Sequence, residues 1–308
     1  MNFEVIGPLL LKQPLIAGQP AHLSAASGLV ELGGWLHVIA DDALQLATFR
    51  FPDLDRGRMH KLLWDPPLPA DEKERKKLKP DLESLTVVNY RDSPALMTVG
   101  SGSAENRRRG LIQPLYECGE VEGSPIVFDL TSLYEAFDFS RVNIEGLAAS
   151  GETLYLAQRG NSRNGFNALI SLDLVGCLKA IDHKRAWSKA LLREIKPVEL
   201  GDLDGVPLTL TDIAPLDSRH LVFTAAAEAT EDPYHDGGIV GSILGIMNLQ
   251  NGRMTTHRVD GPWKAEGVCA LGDGRILMVT DNDDPSKPAL LLEARGRLSS
   301  EADETDRP

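Results

Sequence analysis

Ser27-Gly28-Leu29-Val30, then a Gly33-Gly34 turn, then Trp35-Leu36-His37-Val38-Ile39-Ala40 is the stretch from which the rest of the chain can be read. Two apolar runs of about five or six residues, separated by glycines, have the pattern of a buried β-hairpin. The pattern returns four times. Glu83-Ser84-Leu85-Thr86 precedes Ala95-Leu96-Met97-Thr98-Val99, and Glu145-Gly146-Leu147-Ala148 precedes Thr153-Leu154-Tyr155-Leu156-Ala157. Asp212-Ile213-Ala214-Pro215 precedes His220-Leu221-Val222-Phe223-Thr224, and Glu266-Gly267-Val268-Cys269 precedes Arg275-Ile276-Leu277-Met278-Val279. Turn formers lie between the paired runs: Arg91-Asp92-Ser93-Pro94, Gly151-Glu152, Asp217-Ser218 and Gly272-Asp273-Gly274.

Each hairpin is followed by further strand-like segments: Leu46 to Arg50, Gly110 to Leu115 with Ile126 to Phe128, Ala168 to Leu172, Ser242 to Ile246 and Ala289 to Leu292. The repeat is about 60 residues long, against the roughly 40 to 45 of a compact four-stranded blade, so the excess falls in loops or inserted helices. Five such units in order predict an all-β, five-bladed propeller; a six-bladed ring and a sandwich are the alternatives. The last unit lacks an outer strand, and Phe3-Glu4-Val5-Ile6 is expected to supply it and close the ring. Helices are expected at Asp182 to Glu194 and, as a solvated helix or a loop, at Pro69 to Lys79. One propeller domain over residues 1–296 and a disordered acidic tail over 297–308 complete the expected organisation.

A hydrophobic content of 42% is ample for such a core, and 45 acidic against 32 basic residues give a net charge of −13. That charge disfavours nonspecific attraction to nucleic acid or to an anionic membrane. Cys118, Cys177 and Cys269 form no paired motif, no basic segment precedes an apolar stretch at Met1 to Ile6, and no apolar run reaches the roughly 18 residues of a membrane span. A reducing, cytoplasmic setting is the expectation.

In a propeller the innermost strand follows the axis and the second returns antiparallel, so each first-strand start shares a channel mouth with the loop leaving the second strand. Ser27, Glu83, Glu145, Asp212 and Glu266 are therefore expected around one mouth. Converging carboxylates drive one another toward protonation unless a hard cation joins them, and Ca²⁺ takes oxygen ligands of this kind. Arg107, Arg108 and Arg109, with Arg159 and Arg163, are expected to form a rim that receives a small anionic, phosphate-bearing molecule in bidentate fashion. His235, in a Gly-rich loop at the same mouth, is a candidate proton shuttle. The structural alternative is that the acids bond to backbone N–H groups of neighbouring blades. A protein partner at the rim is a further alternative, and there is no phosphate-cradling Gly-x-x-x-x-Gly-Lys, zinc-spaced His pair or Gly-x-Ser-x-Gly elbow.

The order Ser27, Glu83, Glu145, Asp212, Glu266, with Ser27-Gly28-Leu29-Val30 and Lys264-Ala265-Glu266-Gly267-Val268, resembles the calcium-activated nucleotidase (apyrase) family. Either Asp212 or Thr211 stands where that family places a serine. The resemblance implies a five-bladed propeller with Ca²⁺ in its channel and hydrolysis of a phosphate ester or anhydride. Glu145 or Glu83 would then serve as ligand or base, and Arg159 would stabilise developing charge. The chain is also similar in style to the phytase-like esterase and lactonase propellers. A non-catalytic binding propeller is the competing expectation.

Overall fold

Twenty-one strands are grouped into five antiparallel sheets in a computed structural model that describes residues 1–16, 18–64, 66–160, 166–229 and 238–296. The chain opens with β1 (Asn2–Pro8). The first blade follows as β2 (Ala26–Leu32), β3 (Trp35–Ala40), β4 (Gln45–Arg50) and β5 (Arg58–Lys61). Helix α1 (Glu72–Leu78) leads into the second blade, β6 (Leu82–Tyr90), β7 (Ser93–Gly100), β8 (Arg109–Pro114) and β9 (Ile126–Asp129). After α2 (Thr131–Tyr134) come β10 (Ile144–Ser150), β11 (Thr153–Gln158) and β12 (Asn167–Asp173), then α3 (Leu174–Asp182) and the outer strand β13 (Leu192–Val198). The fourth blade has five strands, β14 (Asp202–Leu203), β15 (Val206–Pro215), β16 (His220–Ala229), β17 (Gly238–Asn248) and β18 (Met254–Arg258). The fifth is β19 (Lys264–Ala270), β20 (Ile276–Asp281) and β21 (Leu290–Arg295), with β1 as its outer strand.

The closure expected of the N-terminal segment is present: β1 runs antiparallel to β21, pairing Asn2 with Arg295 through Pro8 with Leu290. The inner strands touch in the cyclic order β2, β6, β10, β15, β19 and back to β2. Five apolar clusters fill the ring, and each lies mainly between two neighbouring blades. Alternate residues on the two faces of each blade feed two of these clusters, so most inner-strand apolar residues are buried.

The helix expected at Asp182 to Glu194 lies earlier. Residues 174–182 form α3 because Leu174, Cys177 and Ile181 fall on one helical face and bury it. Beyond His183 the chain runs across to the second blade, where fully buried Trp187 stacks on Phe128 at 4.6 Å. Residues 192–198 then become the outer strand β13. The charged segment before the second blade does form a short helix, α1, with Asp71 capping it through the N–H of Glu74. Among the described residues no helix is long and apolar enough to cross a membrane. The tail 297–308 lies outside the described residues.

Candidate functional site

Every inner strand carries a β-bulge where it enters the sheet, and the bulge sets the site. The register slips between Ala26 and Gly28, Leu82 and Ser84, Ile144 and Gly146, Leu210 and Asp212, and Ala265 and Val268. The residues released from pairing are Ser27, Glu83, Glu145 and Thr211, with Glu266 and Gly267 together in the fifth blade. The following position packs against the next blade's backbone. A Cβ on Gly146 would stand 2.7 Å from the Ile213 nitrogen, and one on Gly267 2.8 Å from the Ser27 oxygen.

Asp212 therefore stands one residue beyond the position sequence assigned to it, with Thr211 at the bulge. Its carboxylate accepts the Ile213 N–H at 2.8 Å and, from the next blade, the Val268 N–H at 2.9 Å. Burial pushes its pKa well up, and the Val268, Ile213 and Leu147 amides oppose that shift. Thr211 donates to the Ala265 carbonyl at 2.7 Å. At this blade the structural alternative describes what both residues do, and the bulge layer reads hydroxyl, acid, acid, hydroxyl, acid.

A second polar layer lies two residues before the bulges. It pairs Ala25 with Asp41, Asp81 with Ser101, Asn143 with Arg159, Thr209 with Ala226 and Lys264 with Asp281 across the first two strands of each blade. Charges from different blades meet here. The Arg159 guanidinium, 9% exposed, donates to Glu228 at 2.8 Å and to Thr209 at 3.1 Å. Its Nη1 lies 3.7 Å from Glu145 and 3.8 Å from Glu266, thereby joining the third and fifth blades across the axis. Lys264 Nζ lies 3.2 Å from Glu266, 3.3 Å from Glu228 and 3.2 Å from Asp283. On the other side Lys79 bridges Asp41 and Asp81, and Arg107 reaches Asp81 at 2.7 Å. A cavity of about 100 Å³ opens beside this side, lined by Asp41, Asp42, Lys79, Asp281 and Asp283 among others.

Burial and neighbouring charge compete in the titration of these groups. It raises Glu145 to about 7 despite Arg159, and Asp42 to about 6 with help from Asp41. Glu83 is pushed well above the usual carboxylate range by burial, then by Glu145, Asp81 and Asp41. Burial also opposes the charge on Glu228, yet Arg159 and Lys264 hold it down to about 2. Lys264 and Lys79 stay protonated because neighbouring carboxylates outweigh their own desolvation. Glu83 differs from all of them: it is 8% exposed and makes no hydrogen bond or ion pair with any described residue, although the Lys79 charge opposes the upward shift.

The arginine triplet divides. Only Arg107 turns toward the axial acids; Arg108 pairs with Glu135 at 3.2 Å, and Arg108 and Arg109 line an open groove beside Val127 and Thr131. Arg163 and His235 lie outside the described residues. The residues that sequence reasoning passed over as site members are Lys79, Asp81, Lys264, Asp41, Glu228 and Asp281. A usable signal exists in Lys79-Pro80-Asp81-Leu82-Glu83 and Lys264-Ala265-Glu266, where polar residues alternate on extended chain leading into a bulge.

The expected Ca²⁺ set does not fit as a unit. Glu145 and Glu266 already share Arg159, Asp212 is tied to backbone amides, and Lys79 stands between two of the three acids, Asp41, Asp81 and Glu83, whose oxygens lie within 4.8 Å of one another.

Fold and mouth together define a five-bladed propeller with a buried, mixed-charge network across its axis. Residues 22–295 match the model of a family described as "Family of unknown function (DUF6929)", and the chain belongs to that family. No curated protein matches the chain. Among solved structures, a candidate glycoside hydrolase from Parabacteroides distasonis is similar at 12% identity and a TM-score of 0.49, with 96% of this chain and 97% of that one covered. A streptogramin B lyase is similar at 9% identity and a TM-score of 0.42, covering 95% and 97%. The PQQ-bound aldose sugar dehydrogenase of Streptomyces coelicolor is similar at 14% identity and a TM-score of 0.39, covering 95% and 98%.

Proposed function

We propose that the axial mouth binds a small organic cation, an amine, with Glu83 as the group that receives it. The observation that carries this reading is Glu83 itself, buried with no hydrogen bond or ion pair to a described residue, where the attraction of Lys79 is set against the repulsion of Glu145, Asp81 and Asp41. A carboxyl group in such a place stays neutral or acquires a positive partner. An anionic ligand finds less support, because Arg159, Lys264, Lys79 and Arg107 are each engaged with carboxylates. Binding of a cation favours the ionised form of Glu83 and releases its proton, so affinity rises with pH. The unpaired Cys118, Cys177 and Cys269 support a reducing, cytoplasmic setting for this activity.

The test is calorimetric titration of a panel of small primary and quaternary amines in buffers of different ionisation enthalpy. Saturable binding with proton release, abolished by Glu83→Gln, supports the reading. Absence of binding across the panel, or equal binding by the Gln variant, overturns it.

Hydrolysis of a phosphate ester, anhydride or lactone is the second reading, supported by a different pair. Glu145 titrates near neutrality, where a general acid or base works best, and the Arg159 guanidinium lies 3.7 Å away, where it can meet developing negative charge. Turnover of such esters by the wild type, lost in Glu145→Gln, would favour it over simple binding.

A further inference from the structure

We infer that Lys79 takes the place of a divalent cation in this channel, so that the mouth is neutralised from within and is independent of metal. Asp41, Asp81 and Glu83 come from two neighbouring blades, and carboxylates gathered this closely commonly surround a hard cation. Here an ammonium group stands among them, touching Asp41 and lying 2.7 Å from Asp81. Ammonium supplies one charge and three donors, whereas Ca²⁺ would require six or more oxygens.

The lysine is delivered by the scaffold. It caps the C-terminus of α1 with its N–H on the Arg75 carbonyl at 2.8 Å, and its own carbonyl accepts from Asn106 at 2.9 Å. Arg107 donates to the neighbouring Lys76 carbonyl at 2.6 Å while also holding Asp81. Arg75, a buried residue of α1, donates to the carbonyls of Pro69 and Ala70 and lies 3.4 Å from Asp42. The α1 insertion thus fixes the position of the ammonium before any solute arrives. Across the axis Lys264 and Arg159 serve Glu228, Glu266 and Glu145 in the same manner. Glu83 is the acid left over. Removing the Lys79 ammonium would leave three adjacent carboxylates with Arg107 on Asp81 as the remaining cation, a site open to a divalent ion.

The experiment compares wild type with Lys79→Met by elemental analysis and by thermal melting in EDTA and in millimolar CaCl₂. The wild type is expected to carry no stoichiometric metal and to melt at the same temperature in both solutions. The variant is expected to melt several degrees higher in CaCl₂ than in EDTA. A wild type that co-purifies with one metal per chain, or destabilises in EDTA, overturns the inference. So does a folded variant indifferent to calcium. If Lys79→Met is unfolded in EDTA, refolding yield on adding CaCl₂ becomes the readout: recovery supports the inference and no recovery overturns it. None of these outcomes depends on amine binding.

Discussion

Replacing Arg159 by Met removes a cation that joins the third and fifth blades across the axis, and the cost can be worked from its contacts. The side chain makes two hydrogen bonds, to Glu228 at 2.8 Å and Thr209 at 3.1 Å, and faces Glu145 and Glu266 at 3.7 and 3.8 Å. Methionine fills much of the stem volume, so the loss is chiefly electrostatic. Removing one partner from a buried ion pair costs about 3–5 kcal/mol, because the remaining charges stay desolvated. In a chain of this size that corresponds to roughly 6–10 °C in Tm, at about 2 °C per kcal/mol.

The deficit should depend on pH with a definite sign. In the wild type Glu228 titrates at about 2, below its unfolded value, so its contribution is complete at pH 5 and is lost only in stronger acid. Without Arg159 the folded-state pKa values of Glu228, Glu145 and Glu266 all move up. Carboxyls raised above their unfolded values take up protons in the native state first, and stability returns as pH falls toward 4.5. Urea unfolding at pH 7 and pH 5 is the assay, and the variant's deficit should be smaller at pH 5. A deficit under about 1 kcal/mol at pH 7, or one that grows in acid, would refute a buried network at the axis.

Deleting residues 1–12 removes β1 and the fully buried Leu9 and Leu11; at about 2–5 kcal/mol per leucine, before counting strand hydrogen bonds, the loss approaches the total stability of many domains. Such a chain should aggregate or lack near-UV circular dichroism, and a soluble, cooperative one would disprove closure by β1. His37, fully buried with Nε2 3.0 Å from the Gly119 carbonyl, has its pKa lowered to about 4 by burial. Its unfolded form protonates first, so stability should fall by about 3 kcal/mol between pH 6.5 and 4, and a His37→Asn variant should lack that slope in urea titrations. Asp212→Asn turns an amide donor toward backbone donors and should cost about 2 kcal/mol by urea unfolding; an unchanged midpoint would contradict the bridging role.

The blades were legible because their first two strands are buried on both faces and read as short apolar runs, which little else in a sequence imitates. The outer strands were less so. Arg58-Met59-His60-Lys61 and Met254-Thr255-Thr256-His257-Arg258 lie at sheet edges with mostly exposed side chains, and solvent accepts almost any polar residue there. Residues 182–194 mislead for a related reason: Lys, Arg, Ala and Leu suit a helix locally, but Trp187 gains more by stacking on Phe128, and the third blade still needs an outer strand. At the site, convergence of Glu83, Glu145 and Glu266 follows from the repeat alone. Their counter-charges do not. Lys79 arrives from an insertion, Arg159 from the loop leaving a second strand and Lys264 from a first strand, so no single period marks them.

The fourth blade shows how far a repeat can be trusted for chemistry. Alignment by residue type equates Asp212 with the glutamates, since it is the acid that precedes an apolar run. Alignment by backbone equates it with Gly28, Ser84 and Gly146, the first paired residues after their bulges, because the bulge falls one residue earlier. The backbone criterion has the stronger physical claim. Close approach of neighbouring inner strands requires a small residue at or just after the bulge, as the 2.7 Å and 2.8 Å separations at Gly146 and Gly267 show. Where the fourth blade carries a larger side chain, its carboxylate compensates by bonding the Val268 N–H of the fifth blade. The same acid type thus holds the ring together at one position and faces other axial charges at three. What separates the roles is which side of the bulge the residue occupies.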